Sequence, residues 1–268
     1  MRLVCQEGLL PGADRREKCH NGRAYGFDGI EISRRGLKAN LKEYQELSHE
    51  FGLPVTSICL GWDGCLLDAD PKERDKAVAG MIELLHLGDQ LGGAHLIVPP
   101  IFGPPRIADL RPLRSAVELE YELLTALLKK IAGEVAGLRS KLLLEPLNRY
   151  EMHLMNRVED GARIAREVGS PNVSVMADFF HMNIEETDLH ATLRQNAGLF
   201  EHVHLADSNR KLPGQGHMPF ADYFRTLREI NYSGAAALEC GINGDAREEL
   251  PRCRERMARW AQEAGESA

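Results

Sequence analysis

Residues 173–186 read VSVMADFFHMNIEE, and the fold is decided there. A short apolar run of β type, Val173 to Ala177, runs out at Asp178, so an acidic side chain stands where a predicted strand meets a loop. The same arrangement recurs before and after it, with Glu145 closing LLLE, His204 in HVHLADSNR and Glu239 in AAALEC. Between consecutive members lies enough chain for one helix and a return. Strand ends far apart in sequence converge in a parallel (β/α)8 barrel, which carries its chemistry on the carboxyl-terminal face. The sequence therefore predicts that three carboxylates and one imidazole share a single site.

Working outward, short β-like runs alternate with helical ones along the whole chain, the pattern of a parallel sheet with crossover helices. Predicted strands are Leu3 to Cys5, Gly29 to Ile32, Val55 to Leu60, His95 to Val98, Leu142 to Glu145, Val173 to Ala177, His202 to Leu205 and Ala236 to Glu239. Predicted helices cover Asp14 to Tyr25, Lys38 to Phe51, Pro71 to Leu91, Leu113 to Gly137, Arg157 to Val168, Asp188 to Ala197, Phe220 to Ile230 and Arg247 to Ala264. In the longest, Val117, Tyr121, Leu124, Leu128 and Ile131 recur at spacings of three and four, an apolar stripe for a sheet. Pro71 suits a first helical turn, and Gly52, Gly92, Gly169 and Gly234 fall where helix passes to strand. The stretch PPIFGPPRIADLRP, Pro99 to Pro112, exceeds a minimal turn and is expected to lie over the barrel mouth.

The chain has 268 residues, about the ~250 of one such barrel, so a single domain over 1–268 is expected. A formal net charge of −7 disfavours a polyphosphate partner, so nucleic acid is not expected. No run approaches the ~18 apolar residues of a membrane span. The six cysteines show neither CxxC pairs nor zinc-finger spacing, which reads as reduced thiols in a cytoplasmic protein. Cys5, Cys59 and Cys240 sit in apolar runs and are expected to be packing residues.

Three carboxylates with one imidazole suit a single divalent ion of intermediate hardness, Mn²⁺ first, with Co²⁺ or Mg²⁺ possible. Carboxylates at strand ends can also do no more than cap the next helix, which is independently favourable. The ligands would carry formal charge −3 against +2, leaving room for a neutral, oxygen-rich substrate, and two carboxylates beside an electrophilic ion can remove a proton on one face of a carbon and return one on the other.

The motifs EPLNRYE, DFFHMNIEE, HLADSNRKLPGQGH and the terminal LEC resemble those of the sugar phosphate isomerase/epimerase superfamily with its xylose isomerase-like barrel. Within it they look most like the D-tagatose and D-psicose (allulose) 3-epimerases. The resemblance covers Leu142 to Glu239 in detail, and elsewhere is architectural, through GFDGIEIS. It implies a metal-dependent sugar epimerase, most simply a ketose 3-epimerase working through a cis-enediolate, on a small sugar, as a homodimer or homotetramer.

By the same resemblance, Glu145, Asp178, His204 and Glu239 hold the metal, and Glu145 and Glu239 double as the acid and base. Glu151, His181 and Arg210 contact substrate. His181 could instead be an outer-shell partner or a helix-start residue, Arg210 could fork to substrate hydroxyls or to Glu151, and His217 is a further candidate contact. Pro146, Asp207 and Ser208 depart from the epimerase pattern. Rival readings on the same barrel are an aldose-ketose isomerase, an inosose dehydratase, an endonuclease IV-like repair enzyme and a non-catalytic sugar-binding barrel.

Overall fold

Eight parallel strands close on themselves in chain order in the computed structural model, which describes residues 1–33 and 36–263. They are β1 (Arg2–Gln6), β2 (Gly29–Ser33), β3 (Val55–Cys59), β4 (His95–Val98), β5 (Leu142–Leu144), β6 (Val173–Asp178), β7 (Phe200–Leu205) and β8 (Ala235–Leu238), with β8 pairing back to β1. All eight expected strands are present within two residues at each end. The helices are α1 (Arg15–Ala24), α2 (Leu37–Phe51), α3 (Pro71–Gln90), α4 (Ala116–Glu134), α5 (Val158–Val168), α6 (Phe179–Glu185), α7 (Leu189–Gln195), α8 (Phe220–Glu229) and α9 (Ala246–Glu263). Ala264, the expected end of the last helix, lies outside the described residues.

Helix α6 was not expected. It starts directly on the last residue of β6 with no polar spacer, because Asp178 itself caps it. Helix α4 starts three residues later than its apolar pattern suggests, since Ser115 and Glu118 form a capping box that fixes the first turn. Its buried face is Glu120, Leu124, Leu128 and Ile131, whereas Val117 is exposed and Tyr121 only half-buried. Pro71 does occupy the first turn of α3, behind the Asp70 cap. Gly52, Gly92 and Gly169 adopt positive φ as expected. Gly234 does not, and its need for glycine is steric: a Cβ there would lie 2.2 Å from the Glu201 carbonyl oxygen.

Strand residues alternate between two environments. One set, including Ile30, Leu96, Leu144, Val175 and Val203, joins the large core beneath the helices. The other set points into the barrel, where Val4, Ala235 and Ala237 form one small apolar cluster and Ile97, Leu143 and Met176 another. At the carboxyl-terminal ends this inner set turns polar. The loop after β4, residues 99–115, lies at that end, and the N–H of Gly103 donates to the Glu151 carbonyl at 2.8 Å. No helix among the described residues is long and apolar enough to cross a membrane.

Candidate active site and metal centre

The four strand-end residues do converge. One ligand atom from each of Glu145, Asp178, His204 and Glu239 lies within 4.8 Å of all the others. Nδ1 of His204 is the hub, 3.0 Å from Glu145 Oε1, 3.2 Å from Glu239 Oε2 and 3.7 Å from Asp178 Oδ2. Nε2 of the same ring points the other way, 3.1 Å from both oxygens of Glu31 on β2. Both nitrogens thus face carboxylates, which favours the doubly protonated ring. Burial opposes that charge, but Glu239 and Glu31, followed by Asp178 and Glu145, outweigh it and hold the ring well above the usual histidine range.

Asp178 shows that capping and ligation need not exclude each other. Its Oδ1 accepts from the N–H of Phe180 at 2.7 Å and of His181 at 3.1 Å, closing the amino-terminal end of α6. Its Oδ2 is buried and has no hydrogen-bond partner. An orphaned carboxylate oxygen, two further buried carboxylates and one imidazole nitrogen aimed at a common centre fit a divalent cation, since buried anions are otherwise strongly penalised.

The two glutamates are held in different protonation ranges. Burial pushes Glu145 up to about 7, against the pull of His204. Glu239 is also buried, yet the charge of His204 brings it below the usual carboxylate range. Burial likewise opposes ionisation of Asp178, but His181, His204 and Arg210 hold it down at about 2.

Around this centre the structure places the three expected substrate residues. His181 is buried, and its Nδ1 accepts from the backbone N–H of Asn148 at 3.1 Å and faces that residue's amide nitrogen at 2.8 Å. Nε2 lies 3.8 Å from Asp178 Oδ2 and 3.1 Å from Arg210 Nη1, so the ring is held between Asn148 on one side and the guanidinium on the other. Glu151 is half-exposed at the mouth and accepts from Asn148 Nδ2 at 2.9 Å. Arg210 stacks over the Phe180 ring at 4.7 Å and donates through Nη2 to Glu239 Oε2 at 2.9 Å. Its separation from Glu151 is 3.8 Å, so Glu239 is its main partner, a pairing the sequence reading did not name.

Arg210 is held in the left-handed region, φ 55°, unusual for a residue other than glycine. Its N–H donates to the Asp207 carbonyl and its own carbonyl accepts from Gly241 N–H. Asp207, where the sequence departs from the epimerase pattern, ties this loop together. The buried Asp207 carboxylate accepts from the N–H groups of Ser208, Gly214 and Met218 at 2.7, 2.8 and 3.1 Å. A Cβ on Gly216 would collide with it at 2.2 Å, which explains the PGQGH stretch as a cap for this turn. His217 is exposed and its Nδ1 lies 3.0 Å from Ser208 Oγ.

Several residues went unrecognised in the sequence. Asn148 sets both His181 and Glu151. Glu120, fully buried on α4, accepts from Arg106 N–H at 2.7 Å and Ile107 N–H at 3.2 Å, and His153 Nε2 sits 2.5 Å from its other oxygen, tying down the mouth loop. Cys59 is not only a packing residue, because its thiol donates to Glu239 Oε1 at 3.4 Å. Glu31 was the one with a visible signal, an acid inside the apolar run GIEIS. Beside Gln6 and Cys59, both of which bond to Glu239, opens a cavity of about 570 Å³, bordered also by Glu7, Lys18 and Ser33, within the size range of small-molecule sites.

A family model described as xylose isomerase-like TIM barrel matches residues 19–261. The chain belongs to that family. Within it the chain stands with sugar epimerases, which are isomerase-class enzymes. It is 34% identical over 231 residues to a 3-dehydro-D-guloside 4-epimerase of Escherichia coli (strain K12), covering 85% of this chain and 88% of that protein. It is 32% identical over 246 residues to a D-psicose 3-epimerase of Enterocloster bolteae, covering 85% of this chain and 77% of that one. The crystal structure of an apo 3-keto-D-glucoside 4-epimerase from E. coli superposes with a TM-score of 0.88 at 30% identity, covering 97% of this chain and 99% of that one. The resemblance to ketose 3-epimerases read from the motifs is borne out.

Proposed function

We propose that this member of the xylose isomerase-like TIM barrel family epimerises the carbon next to the ketone of a small sugar, most simply as a ketose 3-epimerase. The observation that carries this is the pair Glu145 and Glu239, which reach one imidazole nitrogen from β5 and β8 while their proton affinities are driven apart. Glu145, Asp178, His204 and Glu239 would hold the cation. When bound, it would supply Lewis-acid polarisation of the substrate carbonyl and offset the charge that develops on its oxygen.

The chain's own groups supply the rest. The carboxylate with the lower proton affinity, Glu239, takes the proton from the carbon on its side, and Glu145 returns one on the other, the roles exchanging in the reverse direction. His181, its ring oriented by Asn148 and Arg210, faces the oxygen on which negative charge grows. Arg210 holds Glu239 by one arm of its guanidinium and offers the other, together with Glu151, to substrate hydroxyls.

A second reading shares this chemistry: epimerisation at C4 of a 3-keto glycoside. Similarity to the E. coli 4-epimerase over nearly that protein's whole length favours it. Incubating ketoses and 3-keto glycosides with the enzyme in D₂O tests both. Deuterium at C3 of an epimerised ketose supports the first, deuterium at C4 of an epimerised keto-glycoside the second. Epimerised product without solvent deuterium would overturn the two-carboxylate mechanism and indicate hydride transfer. Glu145→Gln and Glu239→Gln should each lower epimerisation by several orders of magnitude.

The reading carries with it Mn²⁺ as the ion, with Co²⁺ and Mg²⁺ as substitutes, and an assembly of two or four chains. Metal analysis and solution mass measurement test those points. A cytoplasmic location agrees with six cysteines that are all free thiols.

A further inference from the structure

The inner face of the barrel holds a carboxylate that belongs to neither the tetrad nor the substrate set. Glu31 is fully buried, and it reaches across from β2 to β7. Both of its oxygens are saturated. Oε1 accepts from Gln6 Nε2 at 2.8 Å, Oε2 accepts from Ser57 Oγ at 2.7 Å, and His204 Nε2 lies 3.1 Å from each. These neighbours are placed by sheet register. Gln6 is the cross-strand partner of Glu31 on one side, and on the other an extra residue in β3 between Val55 and Ser57 brings Ser57 opposite Glu31. His202, two residues before His204 on the same inward face, sets Nε2 3.0 Å from Glu31 Oε2, within ion-pair range but without hydrogen-bond alignment.

A histidine ligand must present a lone pair from one nitrogen and keep its proton on the other. The nitrogen that keeps the proton is the one facing a fixed acceptor. We propose that Glu31, fixed by Ser57 and Gln6, is the positioning residue that retains the Nε2 proton of His204 and so commits Nδ1 to the tetrad centre. The proposal rests on the reading above that the tetrad holds a divalent cation. Gln6 extends its reach, because the same amide nitrogen that donates to Glu31 lies 3.1 Å from Glu239 Oε1, linking ligand orientation to one of the two proton-transfer groups.

The test uses the full chain, stripped by chelation and titrated with Mn²⁺ alone. Glu31→Gln is nearly isosteric, but its amide can present N–H groups to His204 Nε2 and so favour the wrong tautomer. It should weaken Mn²⁺ binding by about 10- to 100-fold at unchanged stoichiometry. Ser57→Ala, which touches no tetrad member, should weaken it by about two- to five-fold through loss of one hydrogen bond on Glu31. Ring ¹⁵N shifts of His204 in the Mg²⁺-loaded wild type should show the proton on Nε2, a readout that a merely structural role for Glu31 would not move in Glu31→Gln. Affinity in Glu31→Gln within twofold of wild type would overturn the proposal. If circular dichroism shows that variant unfolded, unchanged affinity in Ser57→Ala would overturn it instead. So would a second Mn²⁺ per chain that Glu31→Gln abolishes, since His204 Nε2 would then be a ligand and not a donor. A wild type that binds one Mn²⁺ but epimerises no sugar would reject the functional reading while leaving the role of Glu31 standing.

Discussion

Asp178 lets the two reasons for placing an acid at a strand end be separated by mutation. Asp178→Ala removes both oxygens, whereas Asp178→Asn keeps an acceptor for the N–H groups of Phe180 and His181 but takes the anionic charge from the orphaned Oδ2. Loss of an N-cap costs about 0.5–2 kcal/mol, and the His181 N–H, being buried, approaches the upper part of that range when orphaned. At ~2–4 °C per kcal/mol for a chain of this size, the alanine variant should melt about 3–8 °C below wild type once both are chelated. Loss of the charge that His181, His204 and Arg210 stabilise adds to this, equally in both variants. The asparagine variant should therefore melt above the alanine variant by most of the cap energy, since asparagine caps as well as aspartate. Both should bind Mn²⁺ at least ~100-fold more weakly, for each loses one of few protein ligands. Thermal unfolding by circular dichroism and Mn²⁺ titration read the two roles independently. Equal melting of the two variants would refute the capping role, and wild-type metal affinity in Asp178→Asn would refute ligation through Oδ2.

The metal affinity should fall as pH falls, and the sign follows from two groups. His204 is held well above the usual histidine range and Glu145 at about 7, so both carry protons that an incoming cation must displace. Ion binding near pH ~6.5 should release roughly one to two protons, measured by calorimetry in buffers of different ionisation enthalpy, and no release would contradict these protonation states. Arg210→Ala should lower kcat/KM by about 10- to 1000-fold, the loss of ~1.5–4 kcal/mol of transition-state contact, while Mn²⁺ affinity stays equal or tightens as Glu239 loses a competing cation. Metal loss in Arg210→Ala comparable to that of the Asp178 variants would contradict that assignment.

The sequence by itself determined the barrel and the identity of the tetrad. Strand and helix periodicity are local properties of the chain, and closing eight parallel strands brings their carboxyl-terminal ends together whatever the loops do. Glu145, Asp178, His204 and Glu239 were legible because each sits at the end of an apolar run, a position readable without knowing any partner. Only the tertiary structure decided who contacts whom inside that ring. Glu31 meets His204 from 173 residues away, and an extra residue in β3 sets Ser57 against it. Arg210 turned to Glu239 because a loop capped by Asp207 holds its backbone in the left-handed region. Asp178 looked like either a cap or a ligand, since sequence assigns one role to a residue while the fold assigns one to each oxygen. Such choices depend on ångström-scale register and packing across the barrel, and no local pattern in the chain encodes them.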